Sequence, residues 1–138
     1  MNPKQLPKVV LWLIGMTLAF GLGTAVGQQA PPTENKGFRT GSTAVIDLGP
    51  EIDGLQGRQL RMRLLTLEPG GVVGIHSHKD RPAVVHLLQG TLTEHREGGA
   101  TRAITKGTTW AEGKDTTHWA ENKSKAPAVF IAADIFKP

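Results

Sequence analysis

The sequence predicts an all-β domain, either a sandwich or a barrel, from Ser42 to Lys137. Short runs of apolar and β-branched residues follow one another closely there, and the breaks between them carry Gly, Pro or Asp. This is the pattern of strands joined by turns. No stretch of this region has apolar residues at helical spacing. With 138 residues, the chain has room for one such domain.

The predicted strands follow in chain order. The run RQLRMRLLTL alternates, so that Leu60, Met62 and Leu64 share one face. The runs AVVHLL and TLTEH are separated by Gln89-Gly90, which predicts a hairpin turn. A barrel of this size has sheet edges that need protection, so we expect a homodimer that pairs edges or sheet faces. The other predicted strands are TAVIDL, TRAIT, TTWAE and the strongly apolar APAVFIAADIF.

The N-terminal segment, residues 1–27, differs from the rest of the chain. Its first eight residues include two lysines and no acid, and the next stretch, Val9–Val26, is uncharged and mostly apolar. Together with the small residue Gly27, this order predicts a signal peptide cleaved after Gly27 and an exported protein, periplasmic or secreted. Val9–Val26 is also about long enough to span a bilayer. An uncleaved anchor is therefore the alternative, and it is the one membrane contact that the sequence predicts.

Composition narrows the classes of partner and cofactor. Residues 28–41, QQAPPTENKGFRTG, are rich in Pro, Gly and polar residues, which predicts a linker before a barrel at 42–137. Because residues 1–27 carry two lysines and no acid, removing them lowers the net charge from +4 to +2. A charge this small, without a basic stripe, predicts no nucleic-acid partner. The chain has no Cys, which excludes disulfides, thiolate nucleophiles and Cys-ligated metals.

Three of the five histidines lie in the stretch GVVGIHSHKDRPAVVHLLQG. His76 and His78 are two residues apart, so on a strand both imidazoles point to the same face. Paired imidazoles of this kind suit a transition metal. Spacing alone leaves two interpretations open, a metal site and a pair of ordinary structural histidines.

Two segments of the chain together follow a family pattern. The first runs from Gly70 through the two histidines to Gly90, and the second includes Gly107 and His118. These segments resemble the two motifs of the cupin superfamily and, more narrowly, its small exported single-domain members. The second motif also matches at Asn122, and the pattern is broken where Ala83 replaces Glu, Gly113 replaces Pro and Asp115 replaces Gly.

The resemblance implies a cupin jelly-roll barrel of two antiparallel sheets. It also implies that His76, His78 and His118 converge on one divalent metal ion, which would be Fe, Mn, Ni, Cu or Zn. Three protein ligands leave positions open for water or for a small-molecule ligand, as a catalytic site requires.

Ala83 stands where many cupins have a metal-ligating Glu, and its methyl group cannot ligate. A substitute carboxylate is one possibility; Glu112 is the first candidate, because it lies next to the second motif, and Asp80 is the second. A site of histidines and water alone, or a metal-free pocket that binds its ligand by hydrogen bonds, are the others. Glu112 is also a candidate general base.

The remaining polar residues have simpler interpretations. His86 is expected to face away from the site, and His95 and Glu94 are expected at the surface. The favoured function is a metal-dependent enzyme acting on a small molecule, with dioxygenase, isomerase or lyase chemistry, since the fold does not select the reaction. The alternatives are a non-catalytic barrel that binds a metal or a small molecule, and a structural dimer with a vestigial pocket.

Overall fold

The computed structural model describes residues 30–138, and the predicted signal segment at 1–27 lies outside them. Every regular element of the described part is an antiparallel β-strand, which confirms the predicted fold class. Across residues 30–138 there is no helix of the length and apolarity needed to cross a membrane. The strands are β1 (Lys36–Asp47), β2 (Gln59–Ser77), β3 (Ala83–Gln89), β4 (Thr91–Arg96), β5 (Thr101–Thr105), β6 (Thr109–Glu112), β7 (Thr117–Glu121) and β8 (Ala128–Phe136).

Strand β2 belongs to both layers of the jelly roll. Its first half, Gln59–Leu67, pairs with β8, and β8 continues through β3 to β6. Its second half, Val72–Ser77, pairs with β7, which continues through β4 to β5. Strand β1 pairs with β2 on its other side. The two predicted sheets are therefore joined by hydrogen bonds into one sheet that curls at β2.

The change of partner in β2 occurs at the sequence EPGG. Gly70 has a φ of +69°, which few other residues adopt without strain. At Gly71, a Cβ atom would lie 2.7 Å from the carbonyl oxygen of Glu68 and 3.0 Å from that of Lys36. Only glycine fits at position 71, because the backbones of β1 and β2 meet there. The bend thus depends on both glycines.

The inner face of the curled sheet carries the hydrophobic core. Leu65 and Leu67 of β2 are buried there together with Leu87 of β3 and Phe130 of β8. Each such side chain stabilises the fold by roughly 1.5 to 3 kcal/mol on burial. The alternating positions Leu60 and Met62 point outward instead and are 40% and 52% exposed.

Strand β1 begins at Lys36, inside the segment 28–41 that the sequence predicts as a linker. The Pro and Gly content of this segment obscures a strand that is held by pairing with β2 and by Phe38, which packs on the core. Just before it, the carbonyl of Pro32 accepts a hydrogen bond from the N–H of Ile75 at 2.7 Å. Residues before Ser42 therefore already belong to the folded domain, because they form hydrogen bonds with β2.

One layer of the jelly roll consists of β1, the first half of β2, β8, β3 and β6, and its outer face is apolar. Met62 has Ala44 and Ala133 as its register partners on the two neighbouring strands, and Val84 and Ala111 continue this row. A neighbouring row contains Ile46, Leu60 and Ile135.

A hydrogen-bond network around Asn122 closes the bend of β2. Asn122 is 1% exposed, and its side-chain N–H groups donate to the carbonyls of Leu67 at 2.9 Å and Ala126 at 2.8 Å. Its side-chain oxygen accepts hydrogen bonds from the backbone N–H and the hydroxyl of Ser124. Its backbone carbonyl and N–H bond to Gly70 and Gly71. One side chain therefore connects the end of β7 to the bend and to the start of β8.

We predict that Asn122→Ala lowers the free energy of unfolding by about 2 to 4 kcal/mol, because it removes the donor to the buried Leu67 carbonyl and one of the two donors to the Ala126 carbonyl. Asn122→Asp should not restore stability, since a carboxylate cannot donate to those carbonyls. Urea denaturation measures the effect, with Lys125→Ala as an exposed control. A change below about 0.5 kcal/mol for Asn122→Ala, the range of ordinary surface substitutions, would contradict the structural role.

Candidate metal centre

Three imidazoles converge at one end of the barrel. His76 on β2 and His118 on β7 are register partners, and His78 follows directly after the end of β2. Their Nε2 atoms form a triangle, with separations of 3.1 Å for His76 to His78, 3.1 Å for His78 to His118 and 3.2 Å for His118 to His76. The structure therefore brings together the three histidines that the sequence singled out.

The second ring nitrogen of each histidine is already engaged. The Nδ1–H of His76 donates to the carbonyl of Gly74 at 2.8 Å, and that of His78 donates to the carbonyl of Arg81 at 3.1 Å. The Nδ1–H of His118 donates to the carboxylate of Glu94 at 2.7 Å. Because these acceptors cannot donate, the proton sits on Nδ1 in each ring. The three Nε2 lone pairs consequently face the same small space.

The two strand-end histidines resist protonation. Burial lowers the pKa of His76 to about 4, against the partial compensation of its hydrogen bond to the Gly74 carbonyl. Burial likewise lowers the pKa of His78 to about 4, with the positive charges nearby adding to the effect. Both rings are therefore neutral at pH 7, which is the form that ligates a metal.

Glu112 occupies the space beside Ala83. The two residues are direct register partners on β6 and β3, so their side chains point to the same inner face. The carboxylate of Glu112 lies 3.0 Å from Nε2 of His78 and 3.6 Å from Nε2 of His118. It also accepts a hydrogen bond from the indole N–H of Trp110 at 2.8 Å. A carboxylate thus reaches the three histidines from the strand next to the position where the motif lacks one.

Glu94 is buried beside His118, so its predicted position at the surface is wrong. It is 1% exposed, and its carboxylate accepts the hydrogen bond from Nδ1–H of His118. Burial raises the pKa of this carboxyl, but hydrogen bonds from His118, Arg102 and Arg96 outweigh burial and lower it to about 2. The alternation of buried and exposed positions along β4 indicates this burial, because Glu94 lies two residues after buried Leu92 on the same strand face.

The other candidate residues lie away from the triangle. Asp80 is exposed in the turn after β2, with a φ of +59°. His86 bonds to the hydroxyl of Thr109 at 2.7 Å on the outer face of β3. His95 stacks on Trp119, with 3.8 Å between ring centroids, and bonds to Glu121. Of the two proposed substitute carboxylates, Glu112 is therefore the one beside the histidines.

A cavity of about 350 Å³ adjoins the triangle. Its lining combines polar side chains, among them the histidines, Glu112 and Glu94, with aliphatic and aromatic side chains. This volume lies within the usual range of small-molecule sites, which combine apolar walls with a few polar groups. The apolar lining includes Phe38, Leu65, Val85, Leu92, Ile104 and Phe130.

Several solved structures share this fold. A predicted oxalate decarboxylase from Thermotoga maritima aligns with a TM-score of 0.53 at 19% identity, over 82% of this chain and 99% of that chain. The polyketide cyclase RemF from Streptomyces resistomycificus aligns with a TM-score of 0.55 at 14% identity, over 75% of this chain and 68% of that one. For an uncharacterised Klebsiella pneumoniae protein with a double-stranded β-helix domain, the TM-score is 0.51 at 17% identity, and 54% of this chain and 65% of that one align. At these identities the likeness concerns the fold alone. No curated protein matches the chain significantly.

A family model described as the cupin domain matches residues 63–134. This range begins in the first half of β2 and ends in β8. It contains the three histidines, Ala83 and Glu112, and it covers more than half of the chain. The chain belongs to the cupin superfamily.

Proposed function

We propose that this protein is a metal-binding cupin and a small-molecule metalloenzyme, with one divalent ion held by His76, His78, His118 and Glu112. The triangle of Nε2 atoms at 3.1 to 3.2 Å is the observation that carries the proposal. Since each ring donates through Nδ1, a ring in its neutral form has no proton on Nε2 with which to bond to another ring. Three lone pairs at this distance repel one another unless a cation lies between them.

The acceptors that bond to the Nδ1–H groups of the three histidines support the same conclusion. Metal-binding histidines usually donate their other N–H to a carbonyl or a carboxylate, which fixes the ring and raises its basicity. Gly74, Arg81 and Glu94 provide these acceptors here. Three neutral imidazoles and one carboxylate suit Fe, Mn, Ni, Cu or Zn. When bound, such an ion would act as a Lewis acid or a redox centre for a small molecule in the cavity.

Two roles are proposed for Glu112. As a ligand it would replace the carboxylate that Ala83 lacks, which its distances to His78 and His118 favour. As a general base it would accept a proton from the substrate, with the Trp110 N–H holding its second oxygen. The alternative function, a non-catalytic barrel that binds a metal or a small molecule, uses the same residues without the reaction.

Export, cleavage after Gly27 and the homodimer remain predictions from the sequence. The apolar rows around Met62 and Leu60 support the dimer, because contiguous apolar patches on soluble proteins often mark interaction sites. The proposed partner of the cavity is a small molecule.

We expect the purified protein to bind roughly one divalent ion per chain. His76→Ala and His118→Ala should reduce the bound metal severely, because each removes one of three converging donors. Elemental analysis and isothermal titration measure occupancy and affinity, with His86→Ala as the matched control on the outer face. Equal and negligible metal content in the wild type and both variants would exclude the metalloenzyme.

A second prediction concerns the acidic ligand. Glu112→Ala should weaken metal binding by about 10- to 100-fold, in the range seen when supporting groups of a metal site are removed. Adding Ala83→Glu to this variant should restore much of the affinity, because residues 83 and 112 are register partners on one face. Glu97→Ala, which alters an exposed acid, serves as control. Full metal affinity in Glu112→Ala would instead leave Glu112 the role of a base.

The pKa values of His76 and His78 predict how stability depends on pH. The folded state keeps these rings neutral down to about pH 4, while the unfolded chain takes up protons near pH 6.5. The free energy of unfolding of the metal-free protein should therefore fall as pH is lowered from 6.5 towards 5, by up to about 1.4 kcal/mol per pH unit for each ring. Denaturation at a series of pH values between 6.5 and 5 tests this prediction. This range lies above the pH values at which carboxylates titrate. The double variant His76→Gln/His78→Gln should have a flatter profile than His86→Gln, and equal slopes would contradict the prediction.

A further inference from the structure

Arg63 is a cavity residue with an unmet hydrogen bond. It lies on the inner face of β2 and lines the cavity. Among residues 30–138, its Nε is the one buried side-chain nitrogen or oxygen without a hydrogen-bond partner. A buried donor left unpaired costs about 1 to 3 kcal/mol. The Nε has almost no accessible surface, so the guanidinium has to turn towards the cavity before a ligand supplies the missing acceptor.

The neighbouring carboxylate of Asp134 does not meet this need. Arg61 already binds it with two hydrogen bonds, Nε to Oδ1 at 3.1 Å and Nη2 to Oδ2 at 2.8 Å. Arg63 reaches Asp134 only through Nη2 at 3.5 Å. Asp134 is thus shared by two guanidinium groups, while Glu112, the other carboxylate that acts on Arg63, lies beyond ion-pair distance of it. Burial also lowers the pKa of Arg63, so the protein carries this charge at a cost.

The register places Arg63 directly beside the candidate metal centre. Arg63 pairs with Ala132, which pairs with Val85, which pairs with Trp110, and these residues form one row across the inner face. The adjacent row contains Asp134, Ala83 and Glu112. Arg81, a second cavity arginine, lies in the turn that supports His78. The guanidinium of Arg63 is therefore carried by the row between that of Glu112 and that of Leu65 and Phe130.

We propose that Arg63 binds the carboxylate of the substrate, so that the substrate class is a small monocarboxylic acid with an apolar body. This inference names a substrate for the proposed function and rests on it. A guanidinium presents Nε and Nη in a planar fork that matches the two oxygens of a carboxylate. The apolar body would lie over Val85 and Trp110, towards Leu65 and Phe130. The orphaned Nε, the second guanidinium on Asp134 and the apolar walls are all explained by such a ligand.

Hexanoate is the probe that tests this inference, with hexanamide as its uncharged match and acetate as the head group alone. Binding is followed by the fluorescence of Trp110 in a Trp12→Phe/Trp119→Phe background, first on the metal-free protein and then with Zn²⁺ added. Trp12 and Trp119 are the other two tryptophans of the chain, and Trp119 lies outside the cavity against His95, so removing both isolates the cavity signal. We expect hexanoate to bind more tightly than hexanamide. Arg63→Gln should weaken hexanoate at least tenfold and leave hexanamide unchanged.

Matched variants separate the role of Arg63 from damage to the fold. Arg63→Lys keeps the charge but lacks Nε, so it should weaken hexanoate less than Arg63→Gln does. Arg39→Gln, an exposed arginine paired with Glu68, should bind like the wild type. Equal hexanoate affinity in the wild type and both Arg63 variants would overturn the inference. Failure of acetate and hexanoate to bind the wild type, with or without Zn²⁺, would do the same.

The two proposals fail differently in these experiments. Arg63-dependent binding of hexanoate to a protein that takes up no metal would support the carboxylate site and exclude the metalloenzyme. Metal binding without Arg63-dependent binding of hexanoate would leave the metal centre and exclude the carboxylate site. Affinity for hexanoate in the metal-free protein thus provides a readout that does not depend on activity.

Discussion

The double pairing of β2 is the constraint on which the rest of the structure depends. Along Gln59–Leu67 this strand holds β8, and along Val72–Ser77 it holds β7. A strand that continues straight could serve only one layer, so the bend at Gly70 and Gly71 lets its end face the other. His76 lies beyond the bend, with His78 directly after the end of the strand, and Arg63 lies before the bend. One strand therefore carries both Arg63 and His76, and the Asn122 network that fixes the bend also fixes their separation.

The cross-strand pair of Ala83 and Glu112 lets a carboxylate on β6 reach the space next to position 83 on β3. Cross-strand partners have Cβ atoms about 4.5 to 5.5 Å apart on one face, so a carboxylate moved from position 83 to 112 needs only a small change in side-chain direction. The methyl group of Ala83 leaves the space through which Glu112 approaches. Asp134, on the other side of Ala83, is neutralised by Arg61 and is not free for this role. The smallest side chain of the row thus determines which carboxylate reaches the histidines.

The sequence predicted the three histidines because their spacing is set by the backbone. His76 and His78 share a face through strand alternation, and the family pattern adds His118, which the fold brings opposite His76. Alternation in RQLRMRLLTL correctly separated two faces but could not say which is inside. Apolar Leu60 and Met62 are outside, while Arg61 and Arg63 are inside, where Arg61 pairs with Asp134 and Arg63 lines the cavity. Glu94 was missed for the same reason, since composition assigns acids to the surface unless a buried partner is known.

The balance of charges around the cavity supports the proposal that it binds an anion. His76 and His78 are neutral, the charge of Glu94 is met by Arg102 and Arg96, and that of Asp134 is met by Arg61. Glu112 then remains the one carboxylate near the triangle that no arginine pairs within residues 30–138. A divalent ion held there would keep excess positive charge, and Arg63 adds to it. In a partly buried site such charge is poorly screened, so the proposed anionic substrate would complete the balance that the protein's own side chains leave open.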